Sequence, residues 1–113
     1  MAFAQTVTVP NDGTYEINPQ IKKFTLLDLG FLTNNAGAYV LQRSLQPDLP
    51  IDQSIQLKIT VNKDLTGFKM ATVSAGAQAP VDIFARDDRD ALVEIYHYYL
   101  QELEERQVLK KQS

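Results

Sequence analysis

Residues 54–62, SIQLKITVN, constrain this chain more than any other stretch. Ile55, Leu57, Ile59 and Val61 alternate with Gln56, Lys58 and Thr60, so an extended backbone places four aliphatic side chains on one face and the polar ones on the other. A helix advancing about 100° per residue would scatter the same four around its circumference. The segment is therefore a half-buried strand of an antiparallel sheet, with one face against a core. Its neighbours in sequence supply pairing partners. AYVLQRSL (38–45), FKMATVSA (68–75) and VDIFA (81–85) have strand composition, and QPDLPID (46–52), KDLTG (63–67) and GAQAP (76–80) have the Gly, Pro, Asn and Asp content of connections. Short connections between four consecutive strands predict an antiparallel meander. Upstream, AQTVTV and TYEI flank PNDG (10–13), the pattern of a β-hairpin, and TNNAG (33–37) is a turn.

Two segments read as helical. In NPQIKKFTLLDLGF, Asn18 stands as an N-cap, Pro19 at the first helical position and Gly30 as a stop, which predicts one short helix between Pro19 and Leu29; Thr25 and Asp28 offer a second starting point. From Asp87 to about Leu109 neither Gly nor Pro interrupts the chain, aspartates 87, 88 and 90 crowd its start, and Lys110 and Lys111 close its end. That charge order complements a helix dipole. On this helix Leu92, Tyr96, Tyr99 and Leu103 form a stripe flanked by Val93, Ile95 and Leu100, which should lie on the sheet. The resulting expectation is one α+β domain over residues 1–113: a curved antiparallel sheet, made of a meander and an N-terminal hairpin, with a short helix and a long C-terminal helix on one face. A chain of this length buries roughly two-thirds of its unfolded surface, enough for a single core.

Reactive chemistry is sparse. The absence of cysteine excludes disulfides, thiolate nucleophiles and thiolate metal sites. The five glycines stand apart, so there is no glycine-rich phosphate cradle, and Ser44, Ser54 and Ser74 lie in or beside strands without a nucleophile elbow. RDDRD (86–90) reads as helix-start chemistry and Asp48 and Asp52 as turn formers, so no metal ligand set and no cofactor site is expected. His97, the sole histidine, sits among Tyr96, Tyr98 and Tyr99. It is the one side chain suited to proton transfer near neutral pH, but the helical projection sends it and Tyr98 to the margin of the stripe, near Glu94 and Gln101. With no partner in the sequence, its reading is structural or solvent-facing, and no catalytic residue is expected. The start of the chain lacks a basic segment followed by an apolar run, and no run reaches the ~18 residues of a membrane span, which points to a cytoplasmic protein.

What is left is a surface. Gln56, Lys58 and Thr60 on the polar side of the central strand, with Lys69 from its neighbour, form the expected partner-binding face. A net charge of −3 weakens a nucleic-acid reading, and these positions carry no stacking aromatics. The leading expectation is thus a non-enzymatic binding or accessory protein, with a nucleic-acid-binding module using the same sheet face as the alternative.

MAFAQTVTV, YEINPQIKKFTLLDLGF, KDLTGFKMA and VSA, spread over the first two-thirds of the chain, resemble a small family from lactic-acid bacteria that is classed as a domain of unknown function. The resemblance implies a TATA-binding-protein-like α+β fold, a curved antiparallel sheet with helices on one side. It also implies a genomic neighbourhood that includes a cysteine desulfurase and a transfer-RNA thiolation enzyme, and hence a link to sulfur metabolism. It carries no catalytic motif.

Overall fold

The computed structural model describes residues 3–75 and 79–112. Strands β1 (Thr6–Val9) and β2 (Gly13–Ile17) form the expected hairpin. Its PNDG turn closes with the Asp12 amide on the Val9 carbonyl at 3.1 Å and with Asn11 at φ 68°, a left-handed conformation that asparagine tolerates better than most residues.

The short helix α1 spans Lys23–Leu29, later than the Asn18 cap predicted. The Asn18 carboxamide oxygen accepts the Gln20 amide at 2.8 Å and so builds a local turn in place of a helix start. Gly30 does end the helix. At φ 100° it allows its own amide to bond Leu27 and that of Phe31 to bond Leu26, satisfying two terminal carbonyls.

A second sheet follows, ordered β3 (Leu32–Thr33), β4 (Tyr39–Ser44), β5 (Gln56–Val61) and β6 (Phe68–Val73), all antiparallel. β3 was not expected. The outer strand expected at VDIFA is absent; Ile83–Ala85 is a single 3-10 turn, and residues 76–78 of the GAQAP connection lie outside the described residues. Pro80 has no N–H to offer a ladder, and the Asp82 carboxylate accepts the Phe84 amide at 3.0 Å, which favours a turn over an extended chain. Among the described residues a single bridge, Val73–Pro80, joins this segment to β6, with the Val81 amide on the Thr72 carbonyl and the Ser74 amide on the Ala79 carbonyl.

Helix α2 runs Arg89–Glu105. Asp88 occupies its N-cap but makes no side-chain cap bond, pairing instead with Arg86 at 2.8 Å on the surface. Nor do Lys110 and Lys111 close the helix. Gln107 adopts φ 61°, the Val108 amide returns to the Leu103 carbonyl, and β7 (Leu109–Lys111) joins β2, giving a three-stranded sheet β1-β2-β7. Burying Val108 and Leu109 almost completely explains the reversal, since a continued helix would carry one of these adjacent residues away from the core. The two sheets meet at a reciprocal bridge between Ala4 and Phe68.

One hydrophobic cluster unites both sheets and both helices, including Ile55, Leu57, Ile59 and Val61 as expected. From α2 it takes Leu92, Tyr96, Leu100 and Leu103, a steeper row than the predicted stripe. Tyr99 is only half-buried, because its hydroxyl reaches out to donate to the Ser44 carbonyl at 3.1 Å. Among the described residues no helix is long and apolar enough to cross a membrane.

Candidate functional site

Residues directly opposite one another in an antiparallel ladder project to the same face. The register therefore aligns Leu32, Val40, Thr60 and Lys69 in one row across the four-stranded sheet, Gln42, Lys58 and Ala71 in the next, and Ser44, Gln56 and Val73 in the third. Leu57, Ile59 and Val61 point the opposite way into the core. Within these three rows every charged side chain is a lysine, although the chain carries 14 acidic residues. Lys58, Thr60 and Lys69 are half-buried, Gln42 is exposed, and Leu32 is 74% exposed. Gln56 departs from the sequence reading: it is 4% exposed and belongs to the covered end of the sheet, beside buried Val73. Lys69 holds its ammonium 4.5 Å above the Phe3 ring, at cation–π distance.

A second constellation was not legible in the sequence. Asp12, in the β1–β2 turn, has a side chain only 2% exposed, and donors from three elements converge on it. Its Oδ2 accepts the Tyr15 hydroxyl at 2.6 Å and the Tyr96 hydroxyl at 2.8 Å. Its Oδ1 lies 2.7 Å from His97 Nε2 and 3.7 Å from Lys111 Nζ. Burial alone would raise the Asp12 pKa, but the hydrogen bonds from Tyr15, His97 and Tyr96, with the charge of His97, outweigh it and hold the carboxyl below its ordinary value. An ionised Asp12 accepts, so His97 Nε2 carries the proton it shares. His97 thus does have a partner, and Tyr96 and His97 converge on one carboxylate from α2 while Tyr15 arrives from β2. The partners are separated by 85 positions, and no local pattern announces such a pair.

A carboxylate offers roughly four acceptor sites, and here four donors surround it. Asp12 therefore fastens the hairpin turn to α2 and β7. Burial raises the pKa of both Tyr15 and Tyr96, and the neighbouring Asp12 raises it further by hydrogen bond and charge. The sign follows. Each phenol keeps its proton more tightly when folded, so the stability it contributes is complete below the unfolded value near 10 and is lost as pH rises past it. Above about pH 10 unfolding releases up to two extra protons, and stability should fall by about 2.7 kcal/mol per pH unit. Urea unfolding at stepped alkaline pH measures this. Tyr96→Phe should halve the slope, and phenolate absorbance from these two rings should appear together with unfolding and not before it.

A family profile described as "DUF1831: Putative amino acid metabolism" matches residues 1–110. No curated protein matches the chain. Among solved structures, a DUF1831 family protein from Lactobacillus plantarum is 41% identical over 99% of each chain and superposes with a TM-score of 0.88. The chain belongs to the DUF1831 family.

Proposed function

We propose that this protein is a non-enzymatic, cytoplasmic accessory protein that docks an acidic protein partner on the open face of its four-stranded sheet. The observation that carries this reading is the register itself, which gathers Lys58, Lys69 and Thr60 with exposed Gln42 and Leu32 on one face whose rows hold no acidic side chain. Positive charge around a modest apolar patch favours encounter with, and orientation of, a negatively charged surface, even on a chain of net charge −3. Tyr15, Tyr96 and His97 are engaged in holding Asp12 and the fold around it.

A cysteine desulfurase is the partner that the family resemblance brings forward. An enzyme that consumes cysteine also accords with the family's description as amino acid metabolism. A chain without cysteine has no thiolate to carry a persulfide, so its role beside such an enzyme is docking or regulation. The test is calorimetric titration of the desulfurase into wild type and into a Lys58→Glu, Lys69→Glu double mutant. Saturable binding to wild type, weakened roughly a hundredfold or more by two charge reversals, is the expected result. Equal binding by both proteins removes the face, and no wild-type binding removes this partner. Binding of single-stranded RNA that weakens steeply with added salt and is lost in the double mutant replaces the protein partner with nucleic acid.

A further inference from the structure

Asp12 is followed by Gly13, the sole Asp-Gly pair of the chain, and no Asn-Gly pair occurs. An Asp-Gly pair can rearrange with no reagent but water. The Gly13 amide nitrogen attacks the Asp12 carboxyl carbon, an N–Cγ bond forms, and the carboxyl hydroxyl leaves with the amide proton as water. A second water then opens the cyclic imide at either carbonyl. Breaking the new N–Cγ bond restores aspartate. Breaking the bond from the nitrogen to the original main-chain carbonyl leaves isoaspartate, whose main chain runs through Cβ and whose free carboxylate sits on Cα. Glycine favours the closure, because it has no Cβ to crowd its nitrogen and its backbone turns freely.

The fold opposes each of these requirements. Ring closure needs a neutral carboxyl that can swing over the following amide. The Asp12 side chain is 2% exposed and is held through both oxygens, by the Tyr15 hydroxyl at 2.6 Å, the Tyr96 hydroxyl at 2.8 Å and His97 Nε2 at 2.7 Å. Those bonds fix its rotamer. They also favour the ionised carboxylate, which is a poor target for a nitrogen nucleophile. Gly13 is paired with Val9 at the end of the β1–β2 ladder, which restrains its amide as well. The glycine has a place in the fold: a Cβ there would stand 3.0 Å from Lys111 Cε, on the side chain whose ammonium lies 3.7 Å from Asp12.

We propose that Asp12–Gly13 is a modification site guarded by the fold, where isoaspartate forms only when the Tyr15–Tyr96–His97 cluster opens, and where the product cannot rebuild that cluster. The second half follows from the chemistry of the product. Isoaspartate adds a methylene to the main chain of the turn and moves the carboxylate onto Cα, so the Val9–Gly13 register and the acceptor beneath the two hydroxyls are lost together. A transient opening of the hairpin is thereby made permanent. This inference is independent of the lysine-bearing face.

The test incubates folded wild type, Tyr96→Phe and Val61→Ala in mildly acidic buffer, with wild type in urea as the open reference. Isoaspartate is counted by enzymatic methylation and assigned to residue 12 by peptide mapping, in which isomerisation leaves the mass unchanged and deamidation of Asn11 does not. Formation in urea should be at least about a hundredfold faster than in folded wild type, as for any reaction that waits on local opening. Folded Tyr96→Phe should react about tenfold faster than folded wild type, the scale of one hydrogen bond to a charged group. Val61→Ala weakens the core beside Phe68, at the Ala4 end of the hairpin, so for an equal loss of stability in urea it should accelerate the reaction less. Gly13→Ala should slow formation in urea, and the purified isoaspartate product should unfold at least as early in urea as Asp12→Ala. Where Tyr96→Phe does not fold, His97→Gln, which removes the more exposed donor, takes its place. Four results each overturn the proposal: equal rates in urea and in folded wild type, no acceleration in the folded cluster variant, an equal acceleration by Val61→Ala at matched stability, or an isoaspartate product as stable as wild type.

Discussion

Asp12→Ala should destabilise the protein by about 3–5 kcal/mol, the cost of removing one partner from a buried, charge-assisted network. The side chain contributes more than its own bonds. Without it the hydroxyls of Tyr15 and Tyr96, both residues 1% exposed, lose their acceptor. Asp12→Asn keeps the shape but carries no charge and brings its own N–H donors toward the tyrosine hydroxyls, so it should recover only part of the loss. The penalty should also depend on pH. The Asp12 pKa is depressed on folding, so the stability it contributes is present above the unfolded value near 3.9 and disappears as pH falls through the folded value. Urea denaturation of wild type and Asp12→Ala should therefore give curves that separate widely at pH 7 and approach one another in acid. A separation that stays constant down to pH 2 would assign the loss to cavity formation alone.

The difference between what could and could not be read from the sequence has a physical source. Alternation in SIQLKITVN is a local property, and so are the turn residues of PNDG, TNNAG and KDLTG; each reports the chain's geometry within a few residues of itself. β4, β5, β6 and the first hairpin were accordingly legible. β7 was not, because three residues pairing with a strand nearly a hundred positions earlier leave no periodic trace, and the two lysines within it also suit a helix end. Asn18 was misplaced as a helix cap because a short polar side chain that can cap a helix can equally close a turn on a neighbouring amide, and the choice is made by where the flanking chain is tethered: the Asn18 amide is fixed to the Val108 carbonyl. At VDIFA the strand composition was outweighed by Asp82, whose carboxylate turns back on the Phe84 amide. For the surfaces, the alternation rightly separated Lys58 and Thr60 from the core, while Gln56 is covered by the three-dimensional arrangement at the strand's end. The Asp12 cluster lies beyond any local reading, since its donors are brought in by β2, α2 and β7 only after the tertiary fold has formed.

Leu103→Ala should cost about 2–5 kcal/mol, as a truncation in a packed interior. Leu103 is 1% exposed, lies one turn below Leu100 on the inward row of α2, and its carbonyl receives the Val108 amide that reverses the chain into β7. Removing its side chain therefore leaves a cavity where the helix, the reversal and the β2–β7 ladder converge, and the upper half of that range is expected because three tethered elements cannot collapse into the space together. Tyr99→Phe is the informative comparison on the same helix. It removes one hydroxyl whose bond to the Ser44 carbonyl is half-buried, so the change should be about 1 kcal/mol. Had the inward row instead run through Tyr99, truncating that residue to alanine would exceed the loss at Leu100. Chemical denaturation of Leu103→Ala, Leu100→Ala and Tyr99→Ala ranks the three, and a Leu103 effect below half a kcal/mol would be incompatible with its place in the core.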